Sequence, residues 1–171
     1  MSTLIDSTYD PLVWGSHLAP LIGALAASDR KSPVLELGVG HFSTPMLHAF
    51  CMGAGRRLVS VEANAEWHDY FSDRYKHIGH EFINQDYSIA VPLLGMERWG
   101  VAFIDNSPGG KRRADDFATM AKCSQYVVVH DYHLENEDAI KPLLGTLKWK
   151  KFERYQPPTL VVCNSGTLLF E

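Results

Sequence analysis

Five short apolar runs alternate with segments of helical spacing along the middle of the chain, at 33–37, 58–62, 81–85, 100–105 and 126–131. Each run has the length of a buried strand. The intervening spacing predicts helices over 44–52, 65–76, 88–94 and 112–122, the first of them ended by Gly53 and Gly55. Upstream, Leu12, Val13, Leu18, Leu21, Ile22 and Leu25 recur at helical intervals between Pro11 and Ala27, with Pro20 placed to divide that helix in two. Residues 1–10 read as a loosely ordered lead-in, and 29–33 as a connector. After a helix at 136–145 the pattern changes. Residues 150–155 alternate, Pro157-Pro158 turns, and Thr159 to Cys163 is β-branched, with Thr167 to Phe170 as an extension. That is an antiparallel hairpin closing the sheet. Strand and helix in regular alternation predict an α/β fold, a mostly parallel sheet with helices on both faces.

Composition narrows the picture only a little. The 171 residues suit one domain, with 1–29 as a helical lead-in or lid and 30–171 as the core. A net charge of −4 gives no reason to expect a nucleic-acid surface. The basic clusters Lys111-Arg112-Arg113 and Lys148 to Lys151 read as solvated faces or edge strands. Cys51, Cys123 and Cys163 are widely spaced and odd in number, so no disulfide framework is expected and a reducing, cytoplasmic setting is. No apolar run approaches a membrane span, and no membrane partner is expected.

Chemistry enters at the strand ends. Glu36, Glu62, Asp86, Asp105 and Asp131 each fall at or just past the end of an apolar run, and in a doubly wound sheet those ends share the ligand-binding edge. The first run leads into Gly38-Val39-Gly40-His41-Phe42-Ser43-Thr44. Two glycines allow a sharp turn and a close ligand, and Ser43 and Thr44 are residue types that cap helix N-termini. Glu62 lies 22 residues beyond Gly40, suited to hold both hydroxyls of a ribose. The third glycine of a dinucleotide fingerprint is missing, which disfavours a nicotinamide dehydrogenase. Glu36 would repel a pyrophosphate but could hold an ammonium, directly or through water. A nucleoside carrying an amino acid satisfies both constraints.

Glu36-Leu37-Gly38-Val39-Gly40 resembles the first motif of the class I S-adenosylmethionine-dependent methyltransferases, and Gly40 to Thr44 resembles its Ser-Thr variant. Val129-His130-Asp131 is most similar to small bacterial and phage members of that family. The resemblance covers about 30–165. It implies a Rossmann-like, seven-stranded sheet of order 3-2-1-4-5-7-6 and S-adenosylmethionine as cofactor. It further implies that Glu62 binds ribose, that Asp86 binds the adenine amino group with Tyr87 nearby, and that Asp105 faces the methionine end. Glu36, Gly38, Gly40, Ser43 and Thr44 complete the implied cradle. Asp105-Asn106-Ser107-Pro108 replaces the Asn-Pro-Pro-Tyr type of motif, which argues against amino methylation of a flipped base.

The expected reaction is therefore methyl transfer to a small-molecule acceptor, at oxygen rather than nitrogen. His130, Asp131 and Asp105 are the candidates for catalysis, with His130 or His133 as the base oriented by an acid. A divalent cation on Asp105 and Asp131 would follow the catechol-type O-methyltransferases, although Tyr132 stands where that pattern has Asn. Consumption of S-adenosylmethionine without an acceptor, by lysis or hydrolysis, and a non-catalytic binding module are the rival readings. Trp14 and His17 could cap the site from the N-terminal helix. His77-x-x-His80 and the first turn at Arg112 and Arg113 read as surface, and Cys51 and Cys163 as core. A homodimer through the hairpin edge is the assembly this pattern allows.

Overall fold

The computed structural model describes residues 15–164. Trp14, the lead-in at 1–10 and the expected extension at 167–170 lie outside them. Seven strands form one sheet: β1 (Val34–Leu37), β2 (Leu58–Glu62), β3 (His80–Asn84), β4 (Trp99–Ile104), β5 (Ser124–Val129), β6 (Lys148–Phe152) and β7 (Thr159–Cys163). Their order is β3-β2-β1-β4-β5-β7-β6. Pairing is parallel from β3 to β5, while β7 runs antiparallel to both β5 and β6. The helices are α1 (Leu18–Ala27), α2 (Ser43–Ala54), α3 (Ala65–Arg74), α4 (Tyr87–Leu94), α5 (Lys111–Met120) and α6 (Leu134–Ile140), the last followed by a 3₁₀ turn at Lys141–Leu143.

The strand period of two sorts the core into two layers. Leu35, Leu37, Val59, Val61, Ala102, Ile104, Val127 and Val129 face α4, α5 and α6 through Val91, Phe117, Met120 and Ile140. Val34, Leu58, Val101, Phe103, Tyr126 and Val128 face α1 and α2 through Leu21, Leu25, Leu47 and Cys51. All three cysteines are buried and free. Glu36 and Ser60 fall on the second face by the same alternation, which places a carboxylate inside the α1/α2 layer.

Two expectations about helix boundaries change. Pro20 does not divide a helix: α1 begins at Leu18, so the proline sits in the first turn, where a missing N–H costs nothing. Gly53 lies within α2, and Gly55 alone ends it, at φ 64°. The sheet reverses its order between β1 and β4, and their carboxyl ends open the crevice in which the site lies.

Candidate functional site

The turn after β1 is shaped by one glycine more than by two. Gly38 has φ 90°, and a Cβ there would lie 2.7 Å from the carbonyl oxygen of Asp105 and 2.9 Å from the Asn106 Cα. Backbone crosses backbone at this point, so no side chain fits. Gly40 is different: its φ is not positive, and a Cβ would meet only the Ser43 hydroxyl, 3.5 Å away. What Gly40 contributes is an open wall to the cleft.

Ser43 and Thr44 do not cap α2. Phe42 occupies the cap position without a side-chain bond, and both hydroxyl residues lie inside the first turn, buried. Thr44 Oγ1 accepts the Gly40 N–H (2.9 Å) and donates to Glu36 Oε1 (3.0 Å). Ser60 donates to Glu36 Oε2 (2.6 Å). Glu36 is wholly buried beneath the turn rather than at the strand end. Burial pushes its carboxyl up to about 7, against the pull of the hydrogen bonds from Ser60, Ser43 and Thr44. The polar chain continues behind it. Because the Ser60 proton goes to Glu36, its oxygen accepts from His80 Nε2 (2.9 Å), and His80 Nδ1 faces His48 Nδ1 at 2.9 Å. His80 is therefore a core residue, contrary to the surface reading. Burial, then His48 and His77, lower its pKa to about 3.

Along the crevice, Glu62 ends β2 and accepts the Val39 N–H (3.2 Å) and the Asn64 N–H (2.8 Å). Tyr87 is buried, its phenol raised above the ordinary value first by burial and then by the Glu62 charge. Asp86 is exposed and caps α4 through the Ser88 N–H (2.8 Å). Gly38, Glu62, Asn64, Tyr87, Asn106 and Ser107 line a cavity of about 270 Å³. A second cavity of about 150 Å³ is lined by His17, Gly40, His41, Ser43, His130 and Asp131. Val39, Trp67 and Asp105 border both. The two cavities thus form a two-part cleft around one carboxylate.

Asp105 is the junction. Its side chain, a quarter exposed, receives Arg113 Nη2 on Oδ1 (3.0 Å) and faces His130 Nδ1 with Oδ2 (3.1 Å). Burial works to raise its pKa, but the His130 hydrogen bond and the charges of His130 and Arg113 outweigh that and hold it below the usual carboxylate range. Asp131, at φ 54°, sits just past β5 in the left-handed region, a conformation that costs about 1 kcal/mol and gathers at functional sites. Arg113 reaches it as well (3.4 Å) and donates to the carbonyls of Asn106 and His130. Far from lying on a solvated turn, Arg113 is buried. It bridges both carboxylates where the catechol-type pattern would put a hard cation, so the pair Asp105 and Asp131 does not fit such an ion. His133 lies apart from the cavity walls.

His17 was expected only as a lid residue. It is 3% exposed and its ring stands edge-on to His130, centroids 4.4 Å apart. Burial, then His130, lower its pKa to about 3. Trp67 escaped sequence reasoning as a site residue, and Arg113, open to reading as a clamp for an anionic acceptor, was placed on a solvated first turn instead. Arg113 carried a signal: it falls one turn before Phe117 on the apolar face that Met120 continues. Trp67 is one of several aromatic residues on α3, and nothing in the pattern separates it from the others.

No protein-family model matches the sequence, and none of the curated proteins does. Solved structures do. A TehB-like S-adenosylmethionine-dependent methyltransferase from Corynebacterium glutamicum superposes with a TM-score of 0.61 at 12% identity, over 87% of this chain and 88% of that one. A fibrillarin pre-rRNA processing protein from Methanococcus jannaschii gives 0.60 at 14% identity, over 90% and 78%. The chain has the methyltransferase fold. An O-methyltransferase family protein from Burkholderia thailandensis matches at 0.60 and 8% identity over 91% of this chain, which spans only 57% of that protein. The sheet order and the antiparallel closing hairpin are those expected of the methyltransferase fold. Among the described residues no helix is long and apolar enough to cross a membrane.

Proposed function

We propose that the chain is an S-adenosylmethionine-dependent methyltransferase that acts on a small-molecule hydroxyl. The observation that carries this reading is the two-part cleft meeting at Asp105, with the close-approach turn at Gly38 on its floor. The half with Glu62 and Tyr87 suits a nucleoside, the carboxylate taking the ribose hydroxyls. Asp86, facing solvent at the start of α4, is assigned the adenine amino group. Glu36 acts from beneath, through Thr44, by fixing the Gly40 N–H rather than by touching the cofactor. S-adenosylmethionine would supply an electrophilic methyl group in line with an acceptor held in the second half.

That second half is walled by Asp105, Asp131, the rings of His17, His41 and His130, and apolar surface, with no lysine or arginine lining it among the described residues. Such a wall does not suit phosphates, which supports a small acceptor over a nucleic acid. Asp105 Oδ2 and His130 Nδ1 face one another at 3.1 Å and can take up the hydroxyl proton as the acceptor oxygen attacks. Asp131 and Arg113 hold the pair in place. A neutral amine has no proton to lose before attack, so this dyad favours oxygen. We assign the whole of 1–171 to one such domain, acting in the cytoplasm.

Calorimetric titration with S-adenosylmethionine, S-adenosylhomocysteine and NAD tests the cofactor. Micromolar binding of the first two, weakened at least about tenfold in Glu62→Ala by loss of the ribose bonds, is the expected result. Binding of NAD alone, or of none, overturns it. Accumulation of methylthioadenosine instead of S-adenosylhomocysteine would replace methyl transfer with lysis of the cofactor.

A further inference from the structure

The hydrogen bonds around His130 do not balance with neutral groups alone. Ser16 has a single hydroxyl proton and donates it to the Pro157 carbonyl (2.7 Å). Its oxygen is therefore the acceptor for His130 Nε2–H, 3.0 Å away. A neutral His130 then turns its Nδ1 lone pair toward the Asp105 carboxylate at 3.1 Å. Two acceptors face each other, and whatever lies between them must be positive.

A second observation comes from the other ring. Both nitrogens of His17 are buried and have no hydrogen-bond partner among the described residues. An imidazole nitrogen left so costs about 1–3 kcal/mol. A proton on His130 would settle its own pairing with Asp105 and leave His17 as it is. A metal ion settles the facing of His130 and Asp105 and takes up one of the two His17 nitrogens as well. One donor atom from each of His17, Asp105 and His130 lies within 4.8 Å of the other two.

We propose that His17, His130 and Asp105 form a site for a late first-row divalent metal ion of the zinc class, at the acceptor end of the cleft. Two imidazoles and one carboxylate are a borderline donor set, suited to zinc, cobalt or nickel and poorly suited to magnesium or calcium. Asp105 offers Oδ2, while its Oδ1 stays bonded to Arg113, the usual arrangement of a ligating carboxylate with an outer partner. Ser16 does the same for His130, fixing the ring so that Nδ1 faces the ion. Three protein ligands leave a position open, where a bound hydroxyl would be oriented and made more acidic. With Asp105 Oδ2 and His130 Nδ1 engaged by the ion, Asp131 on the same wall is the carboxylate that would receive its proton. The site stands on this donor geometry and not on the methyl-transfer reading.

Cobalt(II) is the probe, added to the full chain after treatment with a chelator. The expected result is one ion per chain with visible absorption of a four- or five-coordinate site. Zinc displaces it and magnesium at the same concentration does not. His17→Ala, His17→Gln and Asp105→Asn each weaken binding by at least about tenfold, whereas His48→Gln, in the other histidine cluster, leaves it unchanged. Far-UV circular dichroism and cooperative unfolding select which of the three site variants are read. Failure of the wild-type chain to bind one equivalent overturns the proposal. So does affinity that the folded site variants retain or that His48→Gln removes. S-adenosylmethionine titrated into the metal-free chain separates the two readings: cofactor binding without cobalt binding refutes the metal site alone, and cobalt binding without cofactor binding refutes the methyltransferase reading alone.

Discussion

Glu36→Gln is the substitution that most directly examines the buried carboxylate. Its carboxyl rises from an ordinary 4.5 to about 7, chiefly because burial disfavours the charge. That change corresponds to about 3 kcal/mol of differential stability. The sign follows from which state holds the proton. Below pH 4.5 both folded and unfolded chains are protonated, and the group imposes no penalty. As pH rises, the unfolded chain ionises first, and the folded chain keeps its proton until about 7. The stabilising contribution is therefore present at low pH and is lost as pH passes through the folded value. Glutamine has the same shape and does not titrate. Urea unfolding of both proteins at intervals from about pH 5 to 8.5 should show the wild type losing about 2.5 kcal/mol relative to the variant. His17 and His80, both held neutral by burial, act in the opposite sense, but they are common to the two proteins and drop out of the difference to first order. A difference that stays constant within about 0.5 kcal/mol across that range would show that Glu36 is not perturbed, and the burial argument would fall.

Three further substitutions address the turn and the ion-pair cluster. Gly38→Ala forces a Cβ to within 2.7 Å of backbone, so it should cost at least about 2 kcal/mol by thermal unfolding and abolish cofactor binding by calorimetry; a variant of full stability would refute the close approach. Arg113→Met strands Asp105 and Asp131 in a partly buried cluster and should cost about 3–5 kcal/mol in urea, a loss that a solvated arginine could not produce. Thr44→Val leaves the Gly40 N–H without its side-chain acceptor and removes one of the hydrogen bonds to Glu36, and should cost about 1–3 kcal/mol, largely restored in Thr44→Ser.

The strands were legible because five apolar runs alternate with segments of helical spacing, and β2 and β7 appear over the same residues that the pattern predicts. The order of the strands was implied only by the resemblance of the glycine turn, since right-handed crossovers permit more than one order. The acids at strand ends were read as a single set. In the structure they separate by depth: Asp105 and Glu62 reach the cleft, Asp86 faces solvent, and Glu36 serves the turn from below. Alternation alone could have foretold the last of these, since Glu36 shares its face with Val34 and lies between the glycine turn and the sheet. Arg113 and His80 were misplaced for a related reason. A charged or titratable side chain is assigned to the surface by default, and only the position of its partners overturns that default. Those partners sit on other elements, Asp105 just past the end of β4 and Ser60 within β2, where helical or strand periodicity around Arg113 and His80 does not reach. His17 is the same case with no hydrogen-bond partner among the described residues, and no local pattern announces an imidazole buried in that way.

Among the described strands β6 is the outermost; it pairs with β7 and carries lysines at 148, 150 and 151 and an exposed tryptophan at 149. It is a row of positive charge in which Lys151 is held by Glu137 (2.7 Å) and Glu153 (3.0 Å). Two copies approaching edge to edge bring like charges together, and the barrier between them is set by the surrounding electrolyte. The hairpin that completes the sheet consequently makes the protein's colloidal behaviour a function of salt: repulsion between copies is strongest in dilute buffer and fades as counterions fill in around those lysines.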